Sequence, residues 1–278
     1  MGILNLDRRS GLILAGALLV GPCLGGALYR TAAVREEREL AERLRTDLDA
    51  SASALEARLS RVVETVTGAA ALFEAARELG REEFAGYATR MLARLPAVRA
   101  LEWAPRVGDA ERARHEEWAR AELGASYHIT EATREGRLAP AGARPERIPV
   151  GFVVPLAGNE SAVGFDLASE SLRARALQRA VESGEAALSD PVRLVQSERD
   201  EWSVLLVVPV FAAPAAREGN GREARGFAVG VVRIADLVAA ALPEEVAAAG
   251  GSAALELTDD DVAGERVVLW SSAAGHAG

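Results

Sequence analysis

Ala162-Val163-Gly164-Phe165-Asp166-Leu167-Ala168-Ser169-Glu170 carries an apolar, strand-like run into a polar turn. Residues 169–183 then place Leu172, Ala176, Leu177 and Ala180 on one face of a helix. A strand that delivers the chain into an amphipathic helix predicts a mixed fold in which helices cover a sheet. On both sides of this unit the texture is similar. Short apolar runs broken by Gly, Pro and Asn predict strands over residues 100–104, 127–130, 149–154, 162–166, 192–195, 203–211 and 226–234. Further helices are expected over 110–123 and 234–242. Residues 212–225, rich in Ala, Gly and Arg, read as a hairpin loop or an inter-subdomain link. A smaller strand set follows at 253–258 and 266–271. Asp259-Asp260-Asp261 between them reads as a solvated turn, because the bidentate Glu spacing of a calcium loop is absent. The fold class is α+β.

Upstream the pattern becomes wholly helical. Residues 30–79 hold no Pro and are rich in Ala, Leu, Glu and Arg, the strongest helix formers. Leu44, Leu48, Ala52, Leu55, Leu59, Val62, Val66, Ala69 and Phe73 recur in steps of three and four, a period near 3.5. Such a stripe pairs with a second chain or packs on its own domain. The first half is expected to pair, through Leu44, Leu48, Leu55 and Leu59, and the second half to do both. Before this stalk, residues 11–29 carry no charge and are flanked by Arg8, Arg9 and Arg30. About 20 apolar residues cross a bilayer as helix, so the run just spans. Flanking positive charge keeps residues 1–10 inside and sends the rest outside. The rival reading is a cleaved signal peptide, with Gly25-Gly26-Ala27 as the small-residue site. Both place the remainder beyond the inner membrane, in the periplasm or outside the cell.

Composition closes several routes to function. Apolar residues make up 49%, enough for a sizeable core. The formal net charge of −9 argues against nucleic acid, which asks for a basic stripe. All 32 basic residues are Arg, so a phosphate-cradling P-loop and Schiff-base chemistry are excluded. Cys23 stands alone, which removes intrachain disulfides and thiolate zinc sites. His115, His128 and His276 share no metal-ligand spacing, and no G-x-S-x-G elbow occurs. No metal, no cofactor and no catalytic residue is expected.

Asp166 is the residue of most interest. It ends a predicted strand just before a helix, so its carboxylate either caps that helix or points into the sheet concavity. Buried there, it needs a partner. Arg193, on the strand after Pro191, is its counter-charge, an anion contact or an outer-face residue. Trp103, Phe152 and Phe211 line either an apolar pocket or plain core.

Leu101-Glu102-Trp103-Ala104-Pro105-Arg106-Val107, followed by Glu111-Arg112, resembles the start of a CHASE domain. The likeness continues in Pro149-Val150-Gly151-Phe152-Val153-Val154-Pro155 and in Gly164-Phe165-Asp166-Leu167-Ala168-Ser169-Glu170 with Arg173 and Ala176. It resumes at Ser183-Gly184-Glu185-Ala186-Ala187-Leu188-Ser189-Asp190-Pro191-Val192-Arg193-Leu194, and Pro209-Val210-Phe211 and Gly226-Phe227-Ala228-Val229-Gly230-Val231 close it. The family comprises extracytoplasmic sensory domains of plant cytokinin receptors and many bacterial receptors. The resemblance implies a long helix followed by two PAS-like modules: a membrane-distal, ligand-binding one over 80–212 and an incomplete membrane-proximal one over 213–278. It implies that a carboxylate matching Asp166 and main-chain groups near Leu188 contact the ligand. Phe152 stands where many relatives have Tyr, and Val154 where an acidic residue is frequent, so cytokinin itself is not carried over.

The expected function is therefore a sensory module of a membrane-bound, dimeric signal-transduction receptor that takes a small molecule of unknown identity. The alternative is an anchored extracytoplasmic binding or scaffold protein without signalling output. Family receptors continue into a second span and a histidine kinase or diguanylate cyclase, so the chain is expected to be a fragment.

Overall fold

The computed structural model describes residues 8–76, 79–133, 135–194, 202–212, 223–241, 256–260 and 266–271. Five helices are present among them: α1 (Arg8–Ala75), α2 (Arg81–Leu92), α3 (Arg112–Leu123), α4 (Ser171–Ser183) and α5 (Ile234–Ala239). The strands are β1 (Val98–Pro105), β2 (Val107–Gly108), β3 (Thr130–Ala132), β4 (Leu138–Pro140), β5 (Glu146–Arg147) and β6 (Phe152–Val154). They continue as β7 (Ala187–Leu188), β8 (Val192–Arg193), β9 (Trp202–Phe211), β10 (Ala224–Arg233), β11 (Glu256–Asp260) and β12 (Arg266–Ser271). The chain divides into two units, Met1–Ser53 and Ala54–Gly278.

In the first unit the described residues are the leading part of α1. Leu48 there is 48% exposed, and the side chain of Leu44 lies outside the described residues. Among the described residues no helix is long and apolar enough to cross a membrane. The side chains of residues 11–25, most of the expected span, lie outside the described residues.

The second unit is built on an antiparallel sheet of order β6-β1-β10-β9-β7, with β8 also paired to β9. Strand parity sorts its side chains into two cores. Leu206, Val208 and Val210 of β9, Ala228 and Val232 of β10, and Leu101 of β1 face Val62, Val66, Ala69, Ala70 and Phe73 of α1 and Phe84 and Ala88 of α2. Leu205, Val207, Phe211, Phe227, Val229 and Val231 point the other way, onto Ala176, Leu177 and Ala180 of α4. Both faces are covered, which is why β9 and β10 read as continuous apolar runs. Each fully buried Val, Leu or Phe side chain is worth about 1.5–3 kcal/mol, and β9 and β10 contribute ten of the buried ones. A third cluster joins Val107, Ala119 of α3, Tyr127, Ile129 and Ala141.

The latter half of α1 thus packs on its own sheet, and Leu55 and Leu59 are half-buried, Leu55 against that core. Three expectations change. The strand expected at 162–166 is instead a 3-10 turn, Glu160–Ala162, followed by single bridges Thr130–Phe165 and Pro149–Asp166. Gly164 causes this: its φ is +83°, and a Cβ there would lie 2.5 Å from the His128 carbonyl oxygen. α2 was not anticipated, although Gly80 N–H donating 3.0 Å to the Glu83 carboxylate is a readable start signal. The module boundary expected at 212 falls inside the sheet. β10 returns between β1 and β9, so residues 224–233 complete the sheet that the preceding residues begin. Residues 213–222 of the segment read as a hairpin loop or inter-subdomain link lie outside the described residues. The expected second strand set is present as the β11–β12 hairpin.

Candidate functional site

On β1, Ala100, Glu102 and Ala104 share a face, and that face is the α4-side core. Glu102 therefore drives a carboxyl into an apolar layer. It sits opposite Val153 of β6 and Val229 of β10, and is 3% exposed. Its carboxyl meets a void of about 20 Å3 lined also by Val150, Ala162, Phe165, Leu167, Arg173, Leu194, Leu205 and Val231. That is room for one water. Burial pushes the Glu102 carboxyl up to about 7, and the Arg173 guanidinium pulls against that rise.

Arg173 comes from the first turn of α4, and Ala176, Leu177 and Ala180 follow it at i+3, i+4 and i+7. Its Nη1 donates to the Glu170 carboxylate at 2.9 Å and its Nη2 to the Arg193 carbonyl at 3.2 Å. The guanidinium also stands 5.3 Å over the Phe165 ring.

The same layer opens into a groove of about 350 Å3. Its walls are Ile148, Ala168, Ala174, Leu177, Val181, Ala224 and Phe227, and its rim is Arg106, Glu146, Gln178 and Glu182. Arg106 Nε donates to Glu146, and its Nη1 lies 3.2 Å from Glu223.

Asp166 lines neither space. Fully buried, its Oδ1 accepts from Ile148 N–H at 2.8 Å and Ala168 N–H at 3.1 Å. Oδ2 lies 3.3 Å from Arg144 Nη1 and accepts no hydrogen bond among the described residues. Burial raises its pKa, and the two N–H donors, Arg144 and Arg147 oppose that. Of the two fates read from the sequence, this is the capping one, at the 3-10 turn Leu167–Ser169 rather than at α4. Glu170 takes the α4 cap instead, accepting from Leu172 and Arg173 N–H at 3.3 and 3.4 Å. Asp166 nonetheless bears on both spaces, because Ile148 and Ala168 wall the groove and Leu167 walls the void.

The other expected residues scatter. Phe211 lies in the α4-side core. Trp103 and Phe152 face α1 and α2: Trp103 stacks on Phe73 at 4.1 Å, and Phe152 lies 6.2 Å from Phe84. Leu188 packs on the α1 side, and its carbonyl accepts from Arg179 at 2.5 Å. Arg193 is exposed, 3.8 Å over the Trp202 ring. Glu102 and Arg173 were missed as site residues, although each had a signal. Glu102 shares parity with two alanines of an apolar strand, and Arg173 begins the buried face of α4. Among the described residues no group of three or more His, Cys, Asp or Glu side chains could hold a metal ion.

No curated protein matches the sequence. A solved structure, "Methyl-accepting Chemotaxis protein X", is similar at 14% identity and a TM-score of 0.35, over 78% of this chain and 73% of that one. The family model described as CHASE domain matches residues 77–270, well over half of the sequence, and the chain belongs to the CHASE domain family.

Proposed function

We propose that the chain is the extracytoplasmic sensory module of a membrane-bound receptor and seats a small molecule in the groove between α4 and the sheet. CHASE domains are sensory and non-catalytic, and the groove is the observation that carries the reading here. Its volume falls in the small-molecule range of about 300–1,000 Å3, with apolar walls and few polar groups. Asp166 acts from behind as a positioning residue, and Phe211 backs the same layer. The sheet with its middle strands β1 and β10 supports the PAS-like reading of this module.

Residues 11–29 are the anchor in this proposal, and Leu44, Leu48, Leu55 and Leu59 the seam of a homodimer. β10 connects pocket to stalk. Val231 faces the α4 side, and the adjacent Gly230 touches Val66 of α1, so a change between α4 and the sheet reaches the helix directly. A histidine kinase or diguanylate cyclase would receive that change.

A thermal-shift screen of purines, amines, amino acids and short organic acids tests the groove. A ligand at a hundredfold excess over Kd stabilises by about 2.7 kcal/mol, on the order of 5 °C or more for a domain of this size. Ala174→Trp, on the groove wall, should abolish the shift of a true hit and leave the apo protein folded. A hit that binds this variant unchanged sits elsewhere, and the groove reading fails. The dimer has its own check. Leu48→Glu should convert the protein to monomer in sedimentation, and an unmodified chain already monomeric at tens of micromolar rules the seam out.

A further inference from the structure

We propose that Glu102 is a proton-binding site, and that Arg173 reads its charge, so that the domain responds to the acidity outside the membrane. This stands apart from any ligand in the groove. The geometry is that of a carboxyl on a central strand, between Val153 and Val229, opening onto a void with room for one water. No organic ligand fits there, but a proton does. Charge around the void is sparse. Among its described lining residues, drawn from β1, α4, β9, β10 and the connecting segments, Glu102 and Arg173 alone are charged. Behind Arg173 stands Glu170, and the Arg193 side chain is turned onto Trp202.

Arg173 has two acidic partners to choose between. With Glu102 neutral, it remains on Glu170, which caps α4 by accepting from Leu172 and Arg173 N–H. With Glu102 ionised, a bare carboxylate in an apolar layer is costly unless paired, and Arg173 is the cation that faces it. Drawing the guanidinium toward Glu102 loosens its hold on Glu170 and with it the first turn of α4. The void also touches Val231 of β10, whose neighbour Gly230 abuts Val66 of α1, so the same change bears on the stalk. With the carboxyl raised to about 7 by burial, the exchange falls near neutral pH. The folded state holds this proton more tightly than the unfolded chain does. The resulting stability is full below the ordinary carboxyl range and is lost as pH rises through about 7.

Thermal melts of the full chain and of Glu102→Gln between pH 5 and 8.5 test this. The amide mimics the protonated acid, so the gap between the two should be smallest at pH 5. The variant should melt several degrees higher at pH 8.5, and a gap that does not change with pH overturns the proposal. If Glu102→Gln does not fold, infrared spectra of the unmodified protein decide. A protonated-carboxyl C=O band should persist at pH 6 and vanish with a midpoint near 7, and its absence at pH 6 overturns the proposal. Hydrogen exchange at the Leu172 and Arg173 amides, corrected for intrinsic pH dependence, should quicken through the same midpoint. Unaltered exchange there overturns the role given to Arg173.

Discussion

Replacing Asp166 with alanine should cost the domain about 3–5 kcal/mol, the scale of breaking a buried pair by removing one partner. The carboxylate is wholly buried and receives Ile148 N–H and Ala168 N–H, which join the segment before β6 to the turn before α4. Alanine strands both donors and leaves Arg144 with Glu131 alone of its two acidic partners. Urea denaturation at pH 7 measures the loss. Asparagine separates hydrogen bonding from charge. Its carbonyl oxygen can accept from the same two donors, while the charge facing Arg144 is lost. Because burial outweighs the favourable contacts and lifts this carboxyl, the folded state prefers the neutral acid relative to the unfolded chain. Stability from this group is therefore full below the ordinary Asp range and falls as pH rises through its folded value. Asp166→Asn should consequently stay within about 1 kcal/mol of the parent protein at pH 7. An alanine variant as stable as the parent would mean that the staple holds nothing.

The fate of Asp166 shows what could and could not be read before the fold was seen. Period-3.6 patterning located α4, whose buried face repeats in the sequence, and continuous apolar runs located β9 and β10, whose two faces are both buried. A 3-10 turn buries nothing periodically, so residues 162–166 resembled a strand through their apolar content alone. The positive φ of Gly164 is the reason they are not one. The aromatics misled in a related way. Trp103 and Phe152 are on strands as expected, but a sheet buried on both sides gives a strand residue two apolar destinations, and composition does not choose between them. Parity does choose. It puts Trp103 with Leu101 toward α1 and Glu102 with Ala100 and Ala104 toward α4. The groove was beyond sequence reasoning, since its lining comes from residues as distant as Arg106 and Phe227. The stalk stripe was legible as a buried face. Its later half faces the sheet because Val62, Val66, Ala69 and Phe73 meet small or apolar residues there.

That last contact gives the second large effect. Gly230→Val should destabilise the domain by about 3 kcal/mol, the upper range for overpacking a core. A Cβ at Gly230 would lie 2.6 Å from Val66 Cγ2, inside any normal contact distance. Val66 has no exposed surface, and a β-branched side chain in a helix has one strongly preferred rotamer, so it cannot swing aside. Valine suits a strand by itself, so any loss is steric rather than conformational. Val66→Ala alone should cost about 2 kcal/mol through lost burial and a residual cavity. Together the two substitutions move methyl groups from helix to strand and nearly conserve volume. The double variant should therefore lie within about 1.5 kcal/mol of the parent protein. Urea melts of all four proteins close the cycle, and the coupling should be large and favourable, about 3.5 kcal/mol or more on these figures. A coupling under about 0.5 kcal/mol, the level at which distant sites merely add, would mean that helix and strand do not meet at this point. The route from β10 to the stalk would then fail, whatever the groove binds.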